Sequence, residues 1–279
     1  MTDLDSQTGE SQPLLAGWRV ARYARLGSTS DEARRRASLG DPGRLWIVAK
    51  EQTLGRGRHG RAWRSPPGNL YASALLIDPC EAAISPQLGF VAGAALVEAV
   101  EDLGGAGAAL KWPNDLLWNG AKFAGLLVEG VATPGRGLAC VVGIGVNCAN
   151  SPRGLGYATT DLAAALRRPV SPDALFRRLA ARFDEAIGLW SRGAGFGEIR
   201  ARWLKSAAGL GGPIRVAASR GSREGIFEGL DADGRLLLRA AGALETVEAA
   251  DIFLTPSRDD AGDDPAARAS LPPCGGGSG

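Results

Sequence analysis

Hydrophobic and polar positions follow two alternating patterns along the chain. Short apolar runs rich in Val, Ile and Leu predict strands, at 44–51, 69–77, 108–112, 122–129 and 138–147. Longer stretches with apolar residues at helical spacing predict helices, at 31–39, 86–103, 160–166, 172–190 and 196–206. Asp161 and Ser171 are residues of the type that caps a helix N-terminus. The mixture of strands and helices predicts an α/β (α+β) fold.

The pattern changes after residue 210. Short strands are predicted at 214–218, 223–230, 235–239 and 244–249, with turns between them. This spacing is typical of a small β-barrel. We therefore predict an α/β domain at 18–207 and a β-barrel domain at 210–256. The polar ends predict a flexible lead-in at 1–17 and a disordered tail at 257–279.

Composition and charge narrow the class of protein. Of 279 residues, 45% are hydrophobic and 22% charged, which is typical of a folded globule, and the net charge of +2 argues against a general nucleic-acid binder. The four cysteines have no CxxC spacing, so neither a disulfide framework nor a zinc site is indicated. The N-terminus has no signal-peptide pattern, and we expect that no apolar run reaches membrane-spanning length. We expect a soluble cytoplasmic protein.

Lysine is rare in this chain. Only four of the 32 basic residues are lysines, and the remaining 28 are arginines. A lysine that persists in such a background marks a position where a compact ammonium is preferred to a planar guanidinium. Lys111 and Lys122 both lie inside dense motifs, which makes them candidate functional residues.

The most distinctive segment is the glycine–arginine loop, residues 55–63 with the sequence GRGRHGRAW. Its three glycines let the backbone approach a ligand closely, and exposed N–H groups in such a loop bind anions. Its three arginines add donors suited to phosphate or carboxylate, and Trp63 offers a face for stacking. The loop lacks the Walker pattern. A solvated arginine-rich turn or an RNA-binding patch are the alternatives.

Four further motifs carry candidate chemistry. In KWPND (111–115), Lys111 ends a strand, and Asn114 and Asp115 can close the turn that follows. In KFAGLLVE (122–129), a lysine opens a strand and a mid-strand glycine leaves room for a ligand. In GIGVN (143–147), two glycines share one strand face, either as a floor for a small ring or for packing against a helix. GSTS (27–30) either caps the following helix or binds a polar ligand head.

These motifs, in this order and spacing, resemble those of biotin–protein ligases, and GSTS resembles the family's GSTN with Ser30 in place of Asn. The resemblance implies a catalytic domain like that of class II aminoacyl-tRNA synthetases, with a mixed sheet, followed by an SH3-like barrel. It implies that ATP activates biotin to biotinyl-5′-AMP, with Mg²⁺ carried by the ATP phosphates. The biotin is then transferred to a lysine of a biotin carboxyl carrier protein or domain.

The resemblance also implies a set of site residues. Those expected to contact biotin are Ser28, Thr29, Gln52, Gly55, Arg56, Lys111, Leu116, Gly143 and Gly145. Those expected to contact ATP or the adenylate are Arg56, Arg58, Arg61, Trp63, Lys122 and Asn147. Lys111 and Arg58 are the expected catalytic residues, with Lys111 at the biotin carboxylate.

Two other functions compete with this prediction. A lipoate or octanoate ligase or transferase would need a long apolar tunnel, whereas the paired glycines and GSTS suit a compact polar ring. A biotin-responsive repressor would need an N-terminal DNA-binding domain such as a winged helix. Only some 17 residues precede the first strand-like segment, too few for such a domain. We therefore expect neither a DNA nor a membrane partner, and the sequence leaves a homodimer open.

Overall fold

The structure is a computed structural model that describes residues 9–133, 135–218, 221–248 and 250–254. The predicted tail at 257–279 and the first eight residues of the predicted lead-in lie outside the described residues. Two β-sheets and a set of packed helices make up the described part. The architecture is a mixed α/β fold followed by a C-terminal antiparallel sheet.

The larger sheet has eight strands in the spatial order β1-β2-β3-β4-β8-β7-β6-β5. Its strands are β1 (Ser11–Leu15), β2 (Trp18–Leu26), β3 (Leu45–Gln52), β4 (Leu70–Ile77), β5 (Ala108–Lys111), β6 (Asp115–Trp118), β7 (Ala121–Thr133) and β8 (Gly137–Val146). Strands β2 and β3 pair in parallel, and every other neighbouring pair in this sheet is antiparallel. The sheet is therefore mixed, as predicted.

The helices cover both faces of this sheet. They are α1 (Thr29–Ser38), α2 (Gln87–Glu101), α3 (Leu162–Leu166), α4 (Pro172–Trp190) and α5 (Phe196–Lys205). Successive residues of a strand point to opposite faces. In β3, Leu45 and Ile47 join a small cluster with the alanines of α1, while Trp46 meets Phe176 and Phe183 of α4 at ring centroid distances of 5.6 and 5.2 Å.

One buried helix differs from the expectation about membrane-spanning segments. Residues Ala82–Glu101, which include α2, are apolar and long enough to cross a membrane by length and composition, although the sequence analysis identified no such run. Inside the protein, 72% of its most apolar window is buried. The helix packs against α4, α5 and the sheet, which explains its uniform hydrophobicity.

The predicted lead-in is partly wrong, because residues 11–15 form the edge strand β1. Ala16 and Gly17 connect it to β2, and both have positive φ, 43° and 77°. A two-residue connection of this kind suits a β-hairpin. Leu14 and Leu15 pack against the main core, so this short polar segment is held by pairing and by two apolar contacts.

The C-terminal sheet has five antiparallel strands in the order β12-β11-β10-β9-β13. They are β9 (Pro213–Ala218), β10 (Gly221–Leu230), β11 (Leu236–Ala240), β12 (Ala243–Val247) and β13 (Asp251–Leu254). Four of them were predicted within a few residues, and β13 was missed. This sheet also joins the first domain, because Trp112 Nε1 donates a hydrogen bond of 3.1 Å to Gly234 O.

The bond from Trp112 to Gly234 should stabilise the protein measurably. Trp112→Phe keeps an aromatic ring but leaves the buried Gly234 carbonyl without its donor. We expect the free energy of unfolding to fall by about 1–3 kcal/mol, as measured by denaturant titration. Trp118→Phe, at a half-buried indole on β6, is the control. Equal losses in the two variants would show that the bond contributes nothing to stability.

Candidate functional site

A cleft of about 790 Å³, counting its open mouth, lies over β7 and β8. Its floor is formed by glycines: Gly143 and Gly145 alternate along β8, and Gly125 of β7 pairs with Gly145. A Cβ on Gly143 would stand 2.8 Å from Ser30 Oγ, and one on Gly145 would stand 2.6 Å from Trp63 Nε1. The missing side chains therefore let two other segments approach the sheet.

Hydroxyl groups line one end of the cleft, where α1 begins. Ser28 is the N-cap of α1, and its Oγ accepts a hydrogen bond of 3.4 Å from Asp31 N. Thr29 donates to Gln52 Oε1 from its backbone N (2.8 Å) and from its Oγ1 (3.0 Å). Ser28, Thr29 and Ser30 are all buried, with at most 6% of each residue exposed. This end can hold a compact polar group in a fixed orientation. GSTS therefore serves both as a helix cap and as cleft lining.

The glycine–arginine loop lines the cleft, and hydrogen bonds within its own backbone fix its shape. Gly57 N donates to Arg61 O at 2.7 Å, and Trp63 N donates to Gly55 O at 2.9 Å. The turn at its tip requires positive φ at His59 and Gly60, 56° and 71°. The loop is thus a short, irregular hairpin.

The first arginine of the loop is paired with one carboxylate of α1 and one of β7. Arg56 forms ion pairs with Asp31 at 2.7 Å and with Glu129 at 3.2 Å. Arg34 of α1 contacts the same two carboxylates. The hydrogen bond from Arg56 keeps the pKa of Asp31 below its usual value, although burial opposes this shift. Arg56 therefore anchors the base of the loop.

The other two arginines meet a carboxylate of the C-terminal sheet. Arg61 Nη2 lies 3.0 and 3.2 Å from the two carboxylate oxygens of Asp251 in β13, and Arg58 Nη1 lies 3.8 Å from Asp251 Oδ1. Arg58 Nη1 also donates to Asn114 Oδ1 at 3.2 Å. Burial alone would raise the pKa of Asp251, but Arg61 and then Arg58 outweigh it, so the pKa lies below its usual value.

Lys122 lies in the middle of the cleft between two aromatic rings. Its Nζ is 5.4 Å from the Trp63 ring centroid and 5.7 Å from that of Tyr157. It forms an ion pair of 2.6 Å with Asp115. Its Cε lies 3.5 Å from the position a Cβ would take on Gly125, so its chain lies against the glycine floor.

Lys111, whose predicted contact with the biotin carboxylate stays a prediction, lies beside the cleft. It lines an adjoining cavity of about 890 Å³, again counting the open mouth, and not the glycine-floored cleft. Its Nζ is 5.7 Å from the centroid of Phe253, and among the described residues it forms no ion pair. Burial, helped by Lys122 and Arg61, lowers its pKa, while Asp115 and Asp251 oppose the shift. The two cavities share a wall that includes Asp115 and Asp251.

The structure brings most of the predicted contact residues together. Those lining the cleft are Ser28, Thr29, Gln52, Arg56, Arg58, Arg61, Trp63, Lys122, Gly143 and Gly145. Gly55, Leu116 and Asn147 line neither cavity. Leu116 is fully buried in the core, and Asn147 Nδ2 donates to Thr160 O at 3.1 Å, just before α3. A Cβ on Gly55 would stand 2.6 Å from Ser65 Oγ and from Trp63 O, so this glycine is needed for packing.

Sequence reasoning missed three residues of the site. Asp115 was interpreted only as a turn residue, but it begins β6 and pairs with Lys122. Tyr157 lies in an irregular segment that has no periodic signal. Asp251 is 190 positions from Arg61 along the chain, and only the packing of the two sheets brings them together. An exposed aromatic residue and a lone acidic residue gave no signal to find them.

The fold and the site together define a class of protein: a mixed-sheet enzyme with a compact polar end, a glycine floor and a row of cations. Residues 25–147 match the Biotin/lipoate A/B protein ligase family, and residues 209–255 match the Biotin protein ligase C terminal domain. The chain is 39% identical to the Biotin--[acetyl-CoA-carboxylase] ligase of Paracoccus denitrificans, covering 82% of this chain and 98% of that protein.

Two further comparisons agree. The Bifunctional ligase/repressor BirA of Bacillus subtilis is 31% identical, over 82% of this chain and 72% of that protein. The structure of the biotin protein ligase from Aquifex aeolicus in complex with biotin and ATP has the same fold. It superposes with a TM-score of 0.74 at 24% identity, over 85% of this chain and 99% of that one. The chain belongs to the biotin protein ligase family.

The ion pairs of Asp251 should hold the tip of the loop. In Asp251→Asn, we expect trypsin to cut at Arg58 and Arg61 about twofold to fivefold faster, the range that follows from losing one exposed ion pair. Cleavage at Arg56, which pairs with other carboxylates, should not change. The fragments can be followed by mass spectrometry.

A matched control is Asp233→Asn, which removes an exposed carboxylate of the same sheet that contacts Arg235 and not the loop. Identical cleavage rates in wild type and Asp251→Asn would show that the loop is held without the C-terminal sheet.

Proposed function

We propose that this chain is a biotin–[biotin carboxyl carrier protein] ligase, which forms biotinyl-5′-AMP and pyrophosphate from biotin and ATP and then biotinylates a carrier lysine. The observation that carries this proposal is the order of groups along the cleft. Ser30 lies against Gly143, Trp63 against Gly145, and Lys122 against Gly125, so the cleft passes from hydroxyls over a glycine floor to a cation. A small polar ring joined by an apolar chain to a carboxylate fits that order.

Lys122 is the better candidate for the biotin carboxylate than Lys111. Lys122 lines both the cleft and the adjoining cavity and lies against the floor at Gly125, whereas Lys111 lines the adjoining cavity alone. Attack of a carboxylate on the α-phosphate of ATP brings two anions together, so a cation beside them lowers the barrier. We propose that Lys122 holds the carboxylate and then the acyl phosphate.

The loop arginines exchange one anion for another in this proposal. Arg58 and Arg61 are paired with Asp251 in the structure, and an ATP phosphate offers them a stronger charge-assisted partner. The loop then remains over the mixed anhydride and excludes water until the carrier lysine attacks. No nucleophile of the enzyme is needed, because both reacting groups come from the substrates.

Mg²⁺ fits this site as an ion bound mainly by phosphate. Among the described residues no group of three metal-ligating side chains occurs, while two carboxylates, Asp115 and Asp251, line the cleft. Mg²⁺ is commonly held by one or two carboxylates together with nucleotide phosphates and water. The ion would neutralise charge on the phosphates, and these two residues are the ones that would contact it.

The adenine is proposed to contact aromatic rings and not Asn147. Trp63 rests on Gly145, and Tyr157 faces both cavities as a second, exposed ring. Asn147 uses its side-chain amide to hold the segment before α3. We therefore replace the predicted contact of Asn147 with one from Tyr157.

Several broader predictions are carried forward as part of this proposal. We propose that residues 18–207 form a catalytic domain like that of class II aminoacyl-tRNA synthetases and that residues 210–256 form an SH3-like domain. The relative from Paracoccus denitrificans is named as acting on acetyl-CoA carboxylase, which supports a biotin carboxyl carrier protein or domain as the partner. We propose a cytoplasmic protein without DNA or membrane partners.

The direct test is to incubate the protein with biotin, ATP and Mg²⁺ and to look for biotinyl-AMP by mass spectrometry. Adding a carrier domain should then produce a mass increase on one lysine. Lipoate and octanoate, supplied in place of biotin, test the rival function, because neither has a polar ring to fill the hydroxyl end. Adenylation of either acid in preference to biotin would contradict the proposal.

The roles of the two lysines can be separated by substitution. Lys122→Ala should cost about 3–4 kcal/mol of transition-state stabilisation, the scale of one lost charge-stabilising donor, and should slow pyrophosphate release about 10²–10³-fold. Lys111→Ala should slow it by about tenfold or less, because its ammonium lies outside the cleft. Lys205→Ala, at an exposed position of α5, is the control. A larger loss in Lys111→Ala than in Lys122→Ala would return the carboxylate to Lys111.

A further inference from the structure

The hydroxyl end of the cleft is part of a chain of hydrogen bonds that runs into the sheet. We infer that this series of hydrogen bonds leaves Ser30 Oγ able only to accept. It would therefore select a ligand that presents a ring N–H. The inference rests on the proposed function and deepens it, because it names the group that distinguishes a cyclic urea from other acids. The direction of each bond follows from counting protons.

The orientation of the Gln52 side chain sets the direction of the chain. The backbone N–H of Thr29 can only donate, and it lies 2.8 Å from one terminal atom of Gln52, so that atom is the carbonyl oxygen Oε1. The other terminal atom, Nε2, donates to Ser65 Oγ at 3.0 Å. Ser65 Oγ in turn donates to Trp63 O at 3.0 Å. The amide is therefore fixed at both of its ends.

The remaining directions follow because each hydroxyl has one proton. Thr29 Oγ1 lies 3.0 Å from Gln52 Oε1 and must donate to it. Thr29 Oγ1 then has no proton left for Ser73, so Ser73 Oγ donates to it at 2.8 Å. Ser73 has then used its own proton, so in the remaining bond, of 3.1 Å, Ser30 Oγ donates to Ser73 Oγ. Only lone pairs are left on Ser30 Oγ.

Burial holds this arrangement in place. Ser73 is fully buried and Ser30 is only 6% exposed, so water cannot easily replace a broken bond. Turning the Ser30 proton away from Ser73 would break the bond between these two buried hydroxyls, which is costly. Ser30 nevertheless lines the cleft, and its Oγ lies over Gly143, 2.8 Å from the position that a Cβ would take there. Gly143 thus gives Ser30 Oγ the room to lie at the wall of the cleft.

The chemical consequence is selection by hydrogen-bond polarity. A cyclic urea presents N–H donors beside its carbonyl, and a donor satisfies Ser30 Oγ. A ring atom with lone pairs at the same place would face the lone pairs of Ser30 with no shared proton. Sites built to bond one substrate group discriminate strongly against analogues that lack it, because the group of the site stays unpaired.

The test compares biotin with its two cyclic carbamate analogues, in each of which one ring N–H is replaced by oxygen. Calorimetry on the wild type should show at least one carbamate binding more than about tenfold more weakly than biotin, the effect of one hydrogen bond of ordinary strength. Ser30→Ala should weaken biotin binding by about tenfold and leave that carbamate nearly unchanged.

Ser73→Ala gives the sharper result, because Ser73 touches Ser30 and does not line the cleft. Removing it frees the Ser30 proton to turn towards the ligand. We expect the discriminated carbamate to bind more tightly than it does to wild type, so that the preference for biotin narrows about threefold or more. Thr133→Val removes another buried hydroxyl of the same sheet, which donates to Gly137 O, and should keep the wild-type preference.

The inference is overturned if the wild type binds biotin and both carbamates alike, or if Ser73→Ala weakens all three by the same factor. If Ser73→Ala does not fold, the wild-type preference and its narrowing in Ser30→Ala decide the question. Failure of the proposed function would look different. In that case the wild type would neither bind biotin nor form biotinyl-AMP.

Discussion

The close approach of two chain segments to one strand pair is the constraint on which this site depends. Where β7 and β8 run side by side, Gly125, Gly143 and Gly145 remove three side chains from the cleft face of the sheet. The start of α1 and the indole of Trp63 occupy the space that these residues leave open. A single methyl group at Gly143 or Gly145 would meet one or the other. The glycines therefore do not simply make room for a ligand. They fix how the walls of the cleft meet its floor.

Charge balance is the second organising feature. Each arginine of the glycine–arginine loop has a carboxylate within 4 Å, and Lys122 has Asp115. A cluster of like charges over an open cleft would repel itself, so these acidic partners let the loop fold before any nucleotide arrives. The partners lie in three separate places: the start of α1, the strand pair below, and the C-terminal sheet. A change at any of these three places can therefore alter how firmly the loop is held.

Local signals in the sequence predicted the elements that depend on local order. Helix α4 begins and ends where its apolar spacing and the capping residue Ser171 predicted, and β3 was placed within one residue. The short strands β1, β6 and β13 were missed because four or five residues are too few to show a clear alternating pattern. The lysines show a different limit. Both lie at the rim of one sheet, and only the three-dimensional packing shows that Lys122 meets the glycine floor and Lys111 meets Phe253.

The contact of β13 with the loop bears on how such a protein could be recombined. Strand β13 places Asp251 on the loop arginines and Phe253 beside Lys111, while Ile252 between them is buried in the core. In a chimera, the C-terminal module of a relative would take the place of this whole sheet, including β13. It would work with this loop only if its last strand also carried an acid and an aromatic residue two positions apart. The last strand of the C-terminal sheet is therefore matched to the loop of the α/β part.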